Sequence, residues 1–279
     1  MKILAFLFLG CLSLFFNYCK NDNNQDTNSG KITSQNNEMK SEEPRKQTNE
    51  YIAKVVKTFS HDKDAFTQGL FFHNEYLYES TGLKGKSSLR KVELETGKVI
   101  KSIKINSDYF SEGITLFKNK IFMLTWISNT CLVFDFDTFK EIKTFKYQGQ
   151  GWGITTVDSL LVMSDGSNVL RFLNPDDFSV KKLLPVIDEF YNPVHFLNEL
   201  EFINGEIWAN VWNTNYIVRI DPKTGVVKSK IDLSPLWNLL TDSEGIDVLN
   251  GIAYDDHNNK LYVTGKNWPF IFEIVLEMK

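Results

Sequence analysis

The feature that most constrains the fold of this chain is a pair of residues that recurs, with variations, at the start of five short apolar runs. The five pairs, called the axial pairs below, are Gln68-Gly69, Glu112-Gly113, Trp152-Gly153, Asn198-Glu199 and Asn250-Gly251. Consecutive pairs are 40 to 52 residues apart. Repeats of this length that contain short strands are typical of β-propellers, in which each repeat forms one blade.

Three further strand-like runs follow the first run in each of the first four repeats. They are rich in β-branched and aromatic residues, and polar turns such as Asp221–Gly225 separate them. The fifth repeat contains only three runs, whereas one unassigned run, Ala53 to Phe59, precedes the first repeat. Pairing that run with the last repeat leaves no exposed sheet edge. We therefore predict that residues 51–279 form an all-β, five-bladed β-propeller, closed by an N-terminal strand that completes the last blade.

Residues 1–19 have the pattern of a signal sequence. Their apolar run, Ile3 to Phe16, is shorter than the roughly 20 residues of a membrane-spanning helix. Cys19 follows at the boundary with a polar segment, as in a bacterial lipoprotein signal, so Cys19 is the predicted lipidation site. Tyr18 departs from this pattern, because a small residue usually precedes the lipidated cysteine. Cys11 has better neighbours for lipidation, but the apolar run before it is too short. Simple secretion and an uncleaved anchor also stay open as alternatives.

Residues 20–50 are rich in Asn, Gln, Ser, Glu and Lys and nearly lack apolar residues, which predicts a disordered tether. The expected location is outside the cytoplasm, in the periplasm or cell envelope, with the membrane contacted only through the lipid. The formal net charge of −4 is mild and gives no case for a nucleic-acid partner. Beyond the signal region only Cys131 remains, which excludes an intramolecular disulfide.

The first residues of the axial pairs are expected to face one pocket, because the innermost strands of a propeller line its axis. Aromatic residues and one lysine lie at related positions, just before an axial pair or at the end of a second strand. Any one tryptophan here has the alternative role of a wedge between blades, but the shared register favours a small-ligand pocket. The candidate residues are Phe66, Gln68, Phe110, Glu112, Trp126, Trp152, Asn198, Trp212 and Lys266.

The sequence indicates a metal only weakly, and it gives no indication of a cofactor. The four histidines are scattered without ligand spacing, and phosphate-binding glycine loops are absent. Asp165 and Asp247 are possible ligands of a structural cation, although a role in turns is favoured. A lactone-hydrolysing propeller needs a metal cluster of Asp, Glu and Asn at its axis. The candidate residues here have one carboxylate, Glu112, and several tryptophans, which disfavours that function.

Several long motifs resemble those of the plant-type glutaminyl-peptide cyclotransferases. They include His61–Leu70, Tyr109–Gly113, Leu197–Trp212 and Val263–Pro269, and the resemblance covers about 55–275. It implies a five-bladed propeller that converts N-terminal glutamine of peptides or proteins to pyroglutamate and releases ammonia, without zinc. The reaction is an acyl transfer in which the α-amine attacks the side-chain amide. The tether and the lipoprotein-like start are departures from the plant proteins.

The resemblance also implies roles for the nine pocket residues. Glu112 is expected to shuttle protons between the two nitrogens. Lys266, Asn198 and the indole N–H groups are unranked candidates for donors to the oxyanion. Trp126, Trp152 and Trp212 are expected to shape the cup, with Phe66, Gln68 and Phe110 binding the substrate. The alternative function is a non-catalytic propeller of the cell envelope that binds peptides or envelope partners.

Overall fold

The computed structural model describes residues 48–240 and 244–279, which form an all-β structure. The predicted signal sequence, its lipidation site Cys19 and nearly all of the predicted tether lie outside the described residues. In the two described ranges, no helix is long and apolar enough to cross a membrane.

These two ranges contain twenty strands and one 3₁₀ helix, Ser234–Leu239. The strands are β1 (Asn49–Ser60), β2 (Thr67–His73), β3 (Tyr76–Thr81), β4 (Ser88–Glu93), β5 (Val99–Lys104), β6 (Ser111–Phe117), β7 (Lys120–Thr125), β8 (Thr130–Asp135), β9 (Glu141–Lys146), β10 (Ile154–Val157), β11 (Leu160–Met163), β12 (Val169–Leu173), β13 (Val180–Pro185), β14 (Leu197–Ile203), β15 (Glu206–Val211), β16 (Tyr216–Ile220), β17 (Val227–Asp232), β18 (Leu249–Asp255), β19 (Lys260–Gly265) and β20 (Phe270–Met278).

Within the described residues the strands form four sheets rather than the five separate sheets that the repeat predicts. Three sheets are four-stranded meanders, with the orders β2-β3-β4-β5, β6-β7-β8-β9 and β10-β11-β12-β13. The fourth has eight strands in the order β14-β15-β16-β17-β1-β20-β19-β18. The strands that begin each predicted repeat contact one another in cyclic order, β2 to β6, β10, β14, β18 and back to β2.

Strand β1 explains the difference in sheet count, because it pairs on both of its sides. It runs antiparallel to β20, from Tyr51 opposite Met278 to Ser60 opposite Phe270, as the sequence predicts for this N-terminal strand. Its first residues, Asn49 to Ile52, also pair in parallel with β17. This short parallel ladder joins two runs of strands into one sheet.

The first strands of the five repeats, β2, β6, β10, β14 and β18, are called the innermost strands below. Most axial pairs lie where these strands are irregular. The register of β2 shifts between Thr67 and Gly69, and β6, β14 and β18 shift at the equivalent pairs. A β-bulge of this kind leaves residues out of the ladder and redirects their side chains. The bulges therefore turn the first residue of these four pairs away from the regular alternation of the strand, whereas Trp152-Gly153 directly precedes β10.

The second residue of most axial pairs is glycine because the innermost strands approach closely. A Cβ atom on Gly113 would lie 2.6 Å from the carbonyl oxygen of Trp152. A Cβ atom on Gly153 would clash with the backbone carbonyl of Asn198. Since the obstructing atoms belong to the backbone, a side chain has no room at either position.

Apolar side chains fill the spaces between consecutive runs of strands. Phe71 and Tyr78 of the first sheet pack with Ile114 and Met123 of the second, and the same arrangement recurs between the other neighbours. Cys131 is a free, buried thiol in one of these clusters. The packed layers hold the innermost strands, and therefore the axial pairs, in fixed positions.

Glu201 on β14 gives the fold a predicted dependence on pH. Burial raises the pKa of this carboxyl from 4.5 to about 8. Between these two pH values Glu201 is ionised in the unfolded chain and protonated in the folded chain. The free energy of unfolding therefore falls as the pH rises. Glu201→Gln cannot ionise and should lose less stability over this range. We expect the melting temperature of the variant, relative to wild type, to rise between about pH 5 and about pH 9; a constant difference would contradict this account.

Candidate active site

Four of the predicted polar residues are buried, and three of them, Gln68, Glu112 and Lys266, interact with one another. Glu112 and Gln68 come from the bulges of β6 and β2, Asn198 comes from β14, and Lys266 follows β19; each is no more than 6% exposed. Gln68 Nε2 donates to Glu112 Oε1 at 3.1 Å. Lys266 interacts electrostatically with Glu112, and its Nζ lies 4.8 Å from the centre of the Phe66 ring. We call these four residues the polar floor.

The aromatic candidates form two sets, which we call the aromatic rim, and Phe66 of the first set contacts Lys266 of the polar floor. In one set Phe66 meets Phe110 edge-on at 6.1 Å between ring centres, and Phe110 meets Trp126 at 5.7 Å. In the other set Trp152 meets Trp212 at 5.9 Å. The outer tryptophans, Trp126 and Trp212, are 39% and 38% exposed, so the rim opens to solvent above a buried floor.

Gln150 joins the two sets of the rim, and sequence reasoning missed it. Its Oε1 accepts hydrogen bonds from Trp126 Nε1 at 2.7 Å and from Trp152 Nε1 at 2.8 Å. An indole N–H only donates, and a carboxamide oxygen has two lone pairs, so this one atom satisfies both rings. The predicted role of these two N–H groups as oxyanion donors conflicts with this geometry, because Gln150 already accepts both bonds.

The electrostatics of the polar floor are set by burial. Burial raises the pKa of Glu112 well above its usual range, and the Lys266 ammonium opposes this rise. Burial likewise lowers the pKa of Lys266, against the attraction of Glu112 and Asp247. A carboxyl with a raised pKa next to an amine with a lowered pKa is suited to giving and taking protons near neutral pH.

A second buried carboxyl, Glu199, lies beside the predicted set. Glu199 is the second residue of its axial pair, a position that is glycine in the other four pairs. This departure from glycine was the sequence feature that could have identified Glu199. Its two oxygens accept from the backbone N–H groups of Leu70 and Ile252, at 3.3 and 2.9 Å. Burial raises its pKa well above the usual range. These contacts tie β14 to β2 and β18, so Glu199 joins three innermost strands.

Asn198 differs from the other predicted residues in its contacts. Its backbone oxygen accepts from Ser164 Oγ at 2.7 Å. Its side chain is buried, but it forms no hydrogen bond to the other eight candidates within the described residues. The structure therefore brings eight candidates into one chain of contacts through Gln150 and places Asn198 at an equivalent bulge beside them.

A buried ionic network supports the segment that carries Phe66 and Gln68. Glu79 Oε2 accepts from Arg90 Nε and Nη2 at 3.1 and 2.5 Å, and its Oε1 accepts from Thr67 Oγ1 at 2.6 Å. His61 lies between Glu79 and the backbone carbonyl of Trp268. Glu79 is thus held by a structural network, and its carboxyl bonds no residue of the polar floor.

The described residues contain no group of three or more His, Cys, Asp or Glu side chains that could hold a metal ion. Asp165 is paired with Arg171 and accepts from Ser167, and Asp247 accepts from the N–H of Val248. Both are roles in turns, which the sequence analysis favoured over a cation site. Independence of the reaction from metal stays a prediction.

Comparison with known proteins settles the family. The sequence model of the family described as glutamine cyclotransferase matches residues 28–276. The chain belongs to the glutamine cyclotransferase family. The match covers every axial pair and every candidate residue of the polar floor and the aromatic rim.

Two relatives show how far this glutamine cyclotransferase family member resembles characterised proteins. The glutaminyl-peptide cyclotransferase of Arabidopsis thaliana is 45% identical over 227 residues, which are 80% of this chain and 71% of the relative. The crystal structure of Myxococcus xanthus glutaminyl cyclase superposes with a TM-score of 0.79 at 33% identity, over 84% of this chain and all of that one. The resemblance that the motifs indicate is confirmed.

Proposed function

We propose that this protein is a glutaminyl-peptide cyclotransferase that converts N-terminal glutamine to pyroglutamate and releases ammonia. The observation that carries the proposal is the buried Glu112 carboxyl, which contacts Gln68 and faces Lys266 beneath the aromatic rim. The substrates are peptides or proteins with N-terminal glutamine. The family relationship favours this reaction over a non-catalytic peptide-binding propeller.

The reaction needs one group that moves protons between two nitrogens. The neutral α-amine of the substrate attacks its own side-chain amide carbon, a new C–N bond forms, and the bond to the amide nitrogen breaks. The attacking amine loses a proton and the leaving nitrogen gains one. Glu112 takes the first proton and delivers the second, which a carboxyl with a raised pKa does well near neutral pH.

The carbonyl oxygen of the substrate gains negative charge when the amine attacks. Gln150 accepts the hydrogen bonds of the Trp126 and Trp152 indoles, which leaves the Lys266 ammonium, the Asn198 carboxamide and the Trp212 indole as the donors for this oxyanion. A positioned cation in a buried site stabilises such a charge strongly. Lys266 is therefore the main electrostatic group, and Asn198 and Trp212 are the neutral donors.

The aromatic rim favours ring closure by holding the substrate side chain folded. Ring closure is intramolecular, so confining the glutamine side chain near its own amine supplies much of the rate acceleration. Phe66, Phe110 and Trp126 form one wall and Trp152 with Trp212 the other. Gln68 donates to Glu112 and is also expected to bind the substrate peptide.

The proposed architecture is a five-bladed propeller over residues 51–279. Its support is the cyclic contact of β2, β6, β10, β14 and β18. The eight-stranded sheet then divides between β17 and β1 into two blades, β14 to β17 and β18 to β20 with β1. The parallel ladder at that boundary has four pairs, against nine pairs between β1 and β20. In this arrangement the five axial pairs surround one pocket.

The proposed location is the periplasm or cell envelope, with a lipid on Cys19 and residues 20–50 as a tether. The apolar run before Cys19 and the polar segment after it support the proposal. Cys19→Ala should release the protein from membranes into the soluble fraction, as measured by fractionation and immunoblotting. Retention of this variant on the membrane, with release by Cys11→Ala, would assign the anchor to Cys11 instead.

Lys266→Met should shift the pH dependence of catalysis upward. The Lys266 ammonium lowers the pKa of Glu112, so its removal raises that pKa further. Because ionised Glu112 is the base, the acidic limb of kcat/KM should move to higher pH by at least about one unit. The measurement is a pH–rate profile with a Gln-initiated dipeptide. An unmoved limb, or one moved to lower pH, would contradict the pairing of Lys266 with Glu112.

The proposed function is tested with three peptides of matched sequence. The purified protein should form pyroglutamate and ammonia from a Gln-initiated dipeptide. It should leave an N-acetylated copy unchanged, because the attacking amine is blocked. An Asn-initiated copy should also stay unchanged, because the ring formed would be smaller. Binding of the Gln peptide without any turnover would instead support the non-catalytic alternative.

A further inference from the structure

The carboxamide of Gln68 has two different ends, and only one of them faces Glu112. Its Nε2 donates to Glu112 Oε1 at 3.1 Å, and its Oε1 accepts from Asn250 Nδ2 at 3.4 Å. Asn250 Nδ2 also donates to the backbone carbonyl of Thr67 at 3.0 Å. The side chains of Glu112, Gln68 and Asn250 are all buried. Gln68 therefore lies between Asn250 and Glu112 in one hydrogen-bonded row.

The carbonyl of Thr67 decides the direction of this row. A carbonyl oxygen only accepts, so Asn250 must present its amino group, whose two hydrogens supply both bonds. If the Gln68 carboxamide turned over, its own amino group would face the amino group of Asn250. Two buried donors would then lack an acceptor, which is costly. Asn250 thus selects one orientation of Gln68.

The local fold explains why these groups meet. Gln68 and Asn250 lie in the bulges of β2 and β18, which are neighbours in the cycle of innermost strands. The bulge in β2 takes Gln68 out of the regular ladder, and Asn250 donates to the carbonyl of the residue before it, Thr67. Bulges redirect side chains in this way beside functional sites.

The orientation of Gln68 determines how the Glu112 carboxyl is used. As observed, Gln68 donates to Oε1, so that oxygen serves as an acceptor and Oε2 is left to carry the exchangeable proton. In the turned orientation the Gln68 oxygen would face Glu112 and accept the proton of its acid form. The proton of Glu112 would then be hydrogen-bonded to the Gln68 oxygen rather than to the substrate.

We propose that Asn250 is a positioning residue, which holds Gln68 as a donor to Glu112 and so leaves Oε2 of Glu112 as the oxygen that exchanges protons with the substrate. This inference rests on the proposed cyclotransferase reaction. It assigns a role to an axial residue outside the nine predicted pocket residues. Asn250 acts through Gln68, since its side-chain hydrogen bonds go to Gln68 and Thr67.

Other groups near Glu112 act independently of Asn250. The Lys266 ammonium lowers the pKa of Glu112, and Tyr147, after β9, interacts with Glu112 electrostatically. From β3, Ser80 Oγ donates to the backbone carbonyl of Glu112 at 2.5 Å and does not titrate. On β14 the Glu199 carboxyl faces the N–H groups of Leu70 and Ile252. An effect of Asn250 on the pH profile should therefore pass through Gln68.

The test is a double-mutant cycle on the full protein. Asn250→Leu frees Gln68 to turn and accept the Glu112 proton, so the acidic limb of kcat/KM should move to higher pH. On the acidic side kcat/KM should fall about three- to tenfold, the range expected for one neutral hydrogen bond. In a Gln68→Met background there is no carboxamide to turn, so the same substitution should add no shift. An equal shift in both backgrounds would overturn the proposal.

Two further variants separate positioning from general structural damage. Asn210→Leu removes another fully buried carboxamide, which bonds the N–H of Gly251 rather than Gln68. It should leave the acidic limb in place, and a shift as large as that of Asn250→Leu would overturn the proposal. If Asn250→Leu does not fold, the isosteric Asn250→Asp replaces it. Its shift should be smaller in the Gln68→Met background, and equal shifts would count against the proposal.

The outcomes distinguish this inference from the proposed function. If the wild-type protein releases no ammonia from Gln-initiated peptides, the proposed function fails, and this inference fails with it. If the wild type is active and Asn250→Leu leaves the acidic limb unmoved, only the positioning role of Asn250 fails.

Discussion

Glu112→Gln is expected to lower kcat by about 10²–10⁴, the usual range for a general acid–base group. The substitution keeps the shape of the side chain and an oxygen that accepts from Gln68, but it cannot take or give a proton. Substrate binding should change little because the aromatic rim is intact. The loss should therefore appear in kcat rather than in KM, as measured by steady-state kinetics with a Gln-initiated dipeptide.

Glu201→Gln is the matched control for this substitution. Glu201 also has a raised pKa, but its carboxyl is bonded by Thr155 and the N–H of Tyr254 and not by pocket residues. Glu79 is a poor control, because its replacement removes one of the two carboxylates that pair with the buried Arg90. Turnover near the wild-type rate in a normally folded Glu112→Gln variant would contradict the role of Glu112.

Deletion of residues 1–60 is expected to abolish cooperative unfolding. It removes β1, which pairs with β20 from Tyr51 to Ser60 and with β17 from Asn49 to Ile52. The deletion exposes two sheet edges and the apolar surface under Ala53 and Phe59, both of which are buried. Exposed edges favour aggregation over folding. Circular dichroism and calorimetry of the purified fragment should show no sharp transition.

Deletion of residues 1–47 is the matched control, because it leaves β1 complete. This shorter protein should melt cooperatively at a temperature close to that of the full chain. A fragment that starts after Ser60 and melts in the same way as this control would show that β1 is dispensable. Such a result would remove the support for closure of the structure by its N-terminal strand.

Much of the secondary structure could be predicted from the sequence, because strand composition and turn residues recur in each repeat. The axial pairs were also visible, since glycine recurs at their second position where the backbones approach closely. From that register Gln68, Glu112 and Trp152 could be placed together. The family resemblance supplied the roles of these residues, which spacing alone does not give.

The contacts that the sequence did not reveal join residues that are far apart in the chain or exposed. Gln150 follows no periodic pattern, yet it joins the indoles of Trp126 and Trp152. The eight-stranded sheet depends on four residues of β1 that reach β17, a detail of register that composition does not encode. Glu199 carried a signal, a carboxyl in a glycine slot, but its role depends on backbone N–H groups of two other strands.

The central claim is that the Glu112 pocket closes N-terminal glutamine on itself. The most direct test uses a Gln-initiated peptide with isotope-labelled nitrogen in the side-chain amide, incubated with the purified protein and analysed by mass spectrometry. The account predicts that the label leaves entirely as ammonia, that the peptide product is pyroglutamate, and that Glu112→Gln suppresses both. Labelled ammonia with a glutamate product would indicate attack by water, and an unchanged peptide would indicate a binding protein; either result would contradict the account.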